Sequence, residues 1–252
     1  MKRFILGGLA LLAIGSLAVV GTAIYLYSSI FGSHAPLEDG LIVGPSTLIV
    51  DGFTAMYSVP TDSGVLLIDA GMDAEGKALQ AALATQGFTL DDVLAVFLTH
   101  GHGDHIAAIP LLNAPIYALS AESDLVAGTV ASDSLVGGMV GAAPTGIEVT
   151  FPVEDGTKVT VDGVEVQLLA IPGHTPGSAA IVITDTVFIG DSGNAHKDGS
   201  VHGATGIFSE DLDLNHAQLT GLTARLPPEV STVAFGHTAP TTVDALGAFR
   251  GD

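Results

Sequence analysis

Thr99-His100-Gly101-His102-Gly103-Asp104-His105 packs three imidazoles and one carboxylate into six consecutive residues of a chain with nine histidines in all. Histidine is the commonest nitrogen ligand for zinc and related divalent ions, and a His/Asp set without sulfur suits borderline metals. The stretch therefore reads as a metal-binding loop. The apolar run Val93 to Leu98 leads into it and a second apolar segment, Ile106 to Leu112, follows. That order places the loop at the carboxyl end of a buried strand, where open α/β sheets hold their ligands.

Three further candidates sit in the same context. His174 follows the strand-like run Val166 to Ile171, Asp191 follows Val187 to Gly190, and His237 follows Val230 to Phe235. Strand ends of one sheet can share an edge, so residues distant in sequence can meet in one pocket. The repetition of that context, more than any single residue, points to a shared site.

Around these runs the chain reads as alternating strands and helices. Strands are expected at Leu41 to Val43, Thr47 to Val50, Thr54 to Val59 and Val65 to Asp69, broken by Pro45, Asp51-Gly52 and Asp62-Ser63-Gly64. Ala74 to Gln86 is expected as a helix with Asp73 as its N-cap and Gly87 just past its end. Thr89 to Asp92 has capping-box spacing ahead of the strand that delivers the chain to His100. Strand, helix, strand in this order argues for a βαβ unit. Pro115 to Leu119 reads as a short strand and Ala121 to Ala127 as a helix. Val159 to Val161 and Val164 to Leu169, joined by Asp162-Gly163, form the clearest hairpin. Ile181 to Thr184 and Val187 to Ile189 follow as strands, Leu212 to Leu226 and Val243 to Phe249 as helices. Gly128 to Gly146, rich in Gly, Ala and Ser, is expected to form a cover over the site.

Composition narrows the function. Beyond Pro36, five basic residues stand against all 27 acidic ones, a field that repels polyanions. Nucleic acid is excluded as a partner, because its affinity rests on Lys and Arg neutralising phosphates; the expected partner is a small-molecule substrate. There is no cysteine, so every metal ligand must be nitrogen or oxygen. Phe4 to Ile30 carries no charge and follows Met1-Lys2-Arg3. At ~1.5 Å per residue it is long enough to cross a ~30 Å bilayer core as one transmembrane helix. Tyr25 and Tyr27 suit the interfacial belt, and Lys2 and Arg3 suit the cytoplasmic side. The expected organisation is a cytoplasmic start at 1–3, an uncleaved anchor over 4–30, and one domain over 31–252 in the periplasm or outside the cell.

The histidine loop with its distant His, Asp and His resembles the signature of the metallo-β-lactamase-fold superfamily, His-x-His-x-Asp-His followed by those three. Here the positions are His100, His102, Asp104 and His105, then His174 in Pro172-Gly173-His174-Thr175-Pro176-Gly177-Ser178, Asp191 in Gly190-Asp191-Ser192, and His237 in Gly236-His237-Thr238. The resemblance covers about residues 40 to 245. It implies an α/β fold, a four-layer αββα sandwich with metals in a cleft at one edge of two sheets. It also implies two Zn2+ per chain, with Mn2+ or Fe as alternatives. His100, His102 and His174 would hold the first, Asp104, His105 and His237 the second, and Asp191 both.

The reaction implied is attack of metal-bound hydroxide on a small-molecule ester, lactone, thioester or amide, with Asp104 moving protons. A lactonase or related esterase is the first choice and a Cys-free β-lactamase the second. An Fe-dependent sulfur dioxygenase and a non-catalytic metal-binding sensor are the other readings. Class B1 β-lactamases carry a Cys ligand and Arg where His105 stands, and flavodiiron oxidoreductases carry Glu where His102 stands, so both are disfavoured.

Residues outside the motif were weighed against ordinary roles. Asp69 closes the run Leu66 to Ile68 and is a candidate to accept the second N–H of a metal-binding imidazole. Lys197 is the candidate to hold a substrate carboxylate, whereas His196 and His202 read as solvated loop residues and His34 and His216 as incidental. Gly173 and Gly177 are expected to supply backbone conformations closed to other residues.

Overall fold

The computed structural model describes residues 32–251, with a compact unit beginning at Ala35. The uncharged stretch Phe4 to Ile30, and the anchor expected there, lie outside the described residues. Among the described residues no helix is long and apolar enough to cross a membrane.

Two sheets stack face to face. The first has seven strands in sequential order: β1 (Ile42–Val43), β2 (Ser46–Asp51), β3 (Thr54–Pro60), β4 (Val65–Ile68), β5 (Val93–Phe97), β6 (Ile116–Leu119) and β7 (Phe151–Val153). The second begins with the hairpin β8 (Lys158–Val161) and β9 (Val164–Ala170), continues through β10 (Ala179–Ile183) and β11 (Thr186–Phe188), and is completed by β14 (Thr232–Ala234) and β15 (Thr241–Thr242). Between β11 and β14 a separate ribbon forms from β12 (Gly193–Ala195) and β13 (Val201–Gly203). The helices are α1 (Lys77–Gln86), α2 (Gly103–Ile106), α3 (Ser123–Val126), α4 (Leu135–Val140), α5 (Leu212–Leu222) and α6 (Val243–Gly247).

The two-residue period of a strand sorts the side chains into three apolar cores. On β4, Val65 and Leu67 face α1, where they meet Leu79 and Leu83, while Leu66 and Ile68 face the second sheet. Leu168, Ile181 and Phe188 fill the space between the sheets against Tyr57 and Phe97. Their chain neighbours Leu169, Val182 and Val187 point the other way, onto Leu219 and Leu222 of α5 and Leu246 of α6. Strands β4 and β10 are buried along their whole length, as central strands between two cores must be. Helix, sheet, sheet, helix is the four-layer arrangement expected from the motif.

Parallel pairing then sets which strand ends share an edge. β4, β5 and β6 run parallel, so their carboxyl ends lie together, with β4 and β5 joined through α1 as the expected βαβ unit. In the second sheet β11 is parallel to β14, and both β9 and β11 are antiparallel to β10. The carboxyl ends of β9, β11 and β14 therefore also share one edge. Ala179 N–H donating to Thr99 O at 2.8 Å ties the edges of the two sheets together.

Several boundaries differ from the sequence reading. The helix expected from Ala74 begins at Lys77, because the Asp73 carboxylate takes the N–H groups of Glu75 (2.9 Å) and Lys77 (3.3 Å) and closes a turn first. The helix expected over Leu212 to Leu226 ends at Leu222, where Arg225 turns away to pair with Asp155 and donate to Ala170 O. β7 and the ribbon of β12 and β13 are too short to announce themselves by alternation. Gly128 to Gly146 contains α4, with Leu135, Met139 and Val140 exposed. It is pinned by Thr145 Oγ1 donating to Val126 O (2.6 Å) and by Asp133 N–H donating to Glu210 (3.1 Å). Gly173 has the positive φ expected of it, at 135°, but Gly177 does not; Gly177 serves close approach instead.

Candidate metal centre

All seven side chains singled out by the motif meet at the shared edge. His100, His102, Asp104 and His105 follow β5, with Gly103 to Ile106 forming the single turn α2 that turns Asp104 and His105 back toward the sheet. His174 follows β9, Asp191 follows β11 in a tight 3-10 turn, and His237 follows β14. Gly236 N–H donates to Gly190 O at 2.9 Å, holding the last two turns side by side. Any side chain at position 236 would collide with the Asp191 carboxylate, so glycine there is a condition of the approach.

The separations fall into two sets. His102 Nδ1 and His174 Nε2 are 3.0 Å apart, and His174 and His100 Nε2 lie 3.7 and 3.9 Å from Asp191 Oδ2. On the other side His237 Nε2 is 2.9 Å from Asp191 Oδ2 and 3.4 Å from Asp104 Oδ2. His105 Nε2 is 3.3 Å from Asp191 Oδ1 and 3.7 Å from Asp104 Oδ2. Ligand atoms ~2.0–2.1 Å from a tetrahedral zinc stand about 3.3 Å from one another. His100, His102, His174 and Asp191 form one group compact enough for a cation and Asp104, His105 and His237 another, with Asp191 lying against both.

Hydrogen bonds on the outer side of each ring fix which nitrogen faces inward. His105 Nδ1–H donates to Asp69 Oδ2 (2.9 Å), His237 Nδ1–H to Phe53 O (2.9 Å), and His174 Nδ1–H to Ser209 Oγ (2.9 Å), whose own hydroxyl donates to Thr205 O. Thr99 Oγ1 donates to Asp69 Oδ2 (2.7 Å), so it accepts from His100 Nδ1–H at 3.1 Å. Four imidazoles thus aim Nε2 inward, and His102 aims Nδ1. Buried polar atoms normally have partners, yet His100 Nε2, His105 Nε2 and Asp191 Oδ1 have none. Such an inward-facing, solvent-excluded set of nitrogen and carboxylate donors fits divalent cations.

Electrostatics divides the set in the same way. Burial pushes His100 well below the ordinary imidazole value, lowers His102, and brings His174 to about 3, so these three are neutral ligands. Burial is the largest influence on His105 and His237 and opposes their charge, but the Asp191 and Asp104 carboxylates and the hydrogen bonds to them together outweigh it, lifting His105 well above its usual range and His237 to about 10. The same pairing overcomes burial at the carboxylates, holding Asp191 far down and Asp104 at about 2. Asp69 is buried and its carboxylate is taken up by Thr99 N–H (2.8 Å), Thr99 Oγ1 and His105, leaving it a supporting role behind the rings.

Lys197, the candidate for a substrate carboxylate, stands outside the seven. It lies in the exposed turn between β12 and β13, at the end of the ribbon away from Asp191. Four contributors were absent from the sequence reading: Ser209 behind His174, the Phe53 carbonyl behind His237, Thr54, whose hydroxyl donates to Asp104 Oδ2 at 3.3 Å, and the buried Glu122. A backbone carbonyl has no residue signature, and Ser209 and Glu122 carry no motif.

Comparison with known proteins agrees with this architecture. The model of the metallo-beta-lactamase superfamily matches residues 49–237. The atrochrysone carboxyl ACP thioesterase dmxR1 of Cryptosporiopsis sp. is 28% identical over 66% of this chain and 49% of its own length. A hydroxyacylglutathione hydrolase of Rhodopseudomonas palustris is 30% identical over 54% of this chain and 45% of its own length. The chain thus spans about half the length of either relative. Among solved structures, a beta-lactamase from Chitinophaga pinensis superposes with a TM-score of 0.63 at 20% identity, covering 81% of this chain and 79% of that one, a likeness of fold. With the motif, the layering and the family match in agreement, the chain belongs to the metallo-beta-lactamase superfamily.

Proposed function

We propose that this chain is a hydrolase that holds two divalent cations, zinc in the first instance, and cleaves an acyl bond in a small molecule. The observation that carries the reading is the convergence of five inward-facing imidazole nitrogens and two carboxylates at spacings suited to a cation pair. His100 and His174 through Nε2 and His102 through Nδ1 hold the first cation, Asp104, His105 and His237 the second, and Asp191 both. Bound there, the cations supply Lewis acidity for an acyl oxygen and lower the pKa of water to about 7.

The chain's own groups do the rest. Asp104 has the most exposed of the cluster's carboxylates, with 28% of its side chain accessible, and Thr54 steadies one of its oxygens. In this reading it carries a proton between the site and solvent. The Phe53 ring is 58% exposed and its centroid lies 5.6 Å from that of His237. It offers the substrate an apolar contact beside the second cation. Among ester, lactone, thioester and amide, the thioester leads, because the relatives named above include a thioesterase and a hydroxyacylglutathione hydrolase. In this reading the uncharged segment Phe4 to Ile30 is an anchor, and the domain lies in the periplasm or outside the cell.

The test is turnover by the full chain in detergent, stripped with chelator and reloaded with Zn2+, on a panel of thioester, ester, lactone and β-lactam substrates. Zinc-dependent cleavage of one class supports the reading. Equal rates for the stripped and reloaded protein on every member would refute it.

A further inference from the structure

Glu122 stands apart from the seven and is fully buried in the turn that ends β6. Its Oε1 accepts the N–H of Gly101, the residue between His100 and His102, at 2.6 Å. Its Oε2 accepts from Thr175 Oγ1, the residue after His174, at 3.0 Å, and from Gly177 N–H at 2.8 Å. One carboxyl group thus joins the two turns that carry His100, His102 and His174, which come from different sheets. The packing around it leaves no slack. A side chain at Gly177 would collide with Glu122 itself, and one at Gly101 with Val126. The other three side chains, Asp104, His105 and His237, are steadied by Thr54, Asp69 and Phe53 O, none of which touches Glu122.

We propose that Glu122 is a positioning residue for the first cation alone: it sets the spacing between the His100–His102 turn and the His174 turn, and the second position does not depend on it. This rests on the cation pair proposed above. Burial raises the Glu122 carboxyl to about 7, and above that pH it is ionised and accepts on both arms at once. An amide accepts on one arm and presents N–H to donors on the other, so Glu122→Gln keeps the shape and breaks the clamp. Aspartate keeps the charge but is one methylene short of spanning both turns. Removing the partner behind a metal ligand commonly costs about 10- to 100-fold in metal affinity.

The experiment is competition titration of the chelator-stripped full chain in detergent with Zn2+ against a chromophoric chelator. The wild type is expected to take two equivalents. Glu122→Gln and Glu122→Asp should each weaken the first position about 10- to 100-fold while leaving the second within about threefold. Position is assigned in two backgrounds: Glu122→Gln should weaken the single site left in His237→Ala and leave that in His102→Ala unchanged. Equal weakening of both positions, or of neither, would overturn the role of Glu122 while leaving the cation pair standing. Full rescue by aspartate would also overturn it, since charge and not span would then be sufficient. A wild type that takes fewer than two equivalents would overturn the cation pair and this proposal with it. Should Glu122→Gln fail to fold, Thr175→Val, which deletes only one donor to the clamp, should still weaken the first position. Unchanged affinity in that variant then counts against the proposal.

Discussion

His102 Nδ1 and His174 Nε2 lie 3.0 Å apart with their rings at 90°, although 72 residues separate them and they sit at the ends of strands in different sheets. In the proposed cation pair these two ring nitrogens, brought together from different sheets, belong to the first position. His102→Ala should therefore reduce bound zinc from two equivalents to one and lower turnover by at least about 100-fold. Asp191→Ala, which removes the ligand shared by both positions, should deplete both. Elemental analysis and rate measurements on one preparation check this, and a variant with full zinc or full rate would count against the assignment.

The Asp69 carboxylate tests what lies behind the rings. Its φ of 59° is left-handed, a region that Asn shares readily, so Asp69→Asn leaves the backbone at ease and changes only charge and hydrogen bonding. Affinity at the second position should fall about 10- to 100-fold, because His105 loses a charged acceptor. The competition titration reads it, and an unchanged second constant would remove Asp69 from the account.

Protons should leave when cations enter. His105 and His237 have raised pKa values, His237 at about 10, so both are charged near neutrality in chelator-stripped protein. A folded pKa above the ordinary value of about 6.5 stabilises the fold fully below that value, and the contribution is lost as pH rises through about 10. A cation in the second position competes with those protons. At about pH 7 its binding should release on the order of one or two per chain, fading above about pH 10. Calorimetry in buffers of different ionisation enthalpy measures the release. Identical heats in all buffers would contradict the charge states described.

Tyr57 offers a stability test away from the ligands. Its buried hydroxyl donates to Phe235 O at 2.7 Å, two residues before His237, and its ring packs edge-on against Phe188, three before Asp191. Tyr57→Phe leaves that carbonyl without a partner and should cost about 1–3 kcal/mol. At ~2–4 °C per kcal/mol for a domain of this size, Tm should drop by roughly 2–12 °C. An unchanged Tm would mean the strand end is held by other groups.

The main strands and the seven side chains are legible because each depends on a local pattern, whereas the four layers follow from the family resemblance. Runs such as Val65 to Ile68 announce a strand buried on both faces, and a ligand just after such a run is placed by the strand's direction. What could not be read was whatever depends on distance in sequence. Glu122 acts through three hydrogen bonds on residues 21, 53 and 55 positions away and Ser209 through one on a residue 35 away, and neither residue type nor spacing marks them. The Phe53 carbonyl is invisible for a simpler reason, since every residue has one. α1 starts later than its sequence pattern predicts because the Asp73 carboxylate caps the turn before it.

The central claim is that two cations sit on either side of Asp191. Anomalous diffraction at the zinc edge from crystals of the reloaded protein tests it most directly. Two peaks are expected, one among His100, His102 and His174 and one among Asp104, His105 and His237, each within ~2.0–2.2 Å of Asp191 oxygen. A single peak, or peaks outside this cluster, would contradict the account.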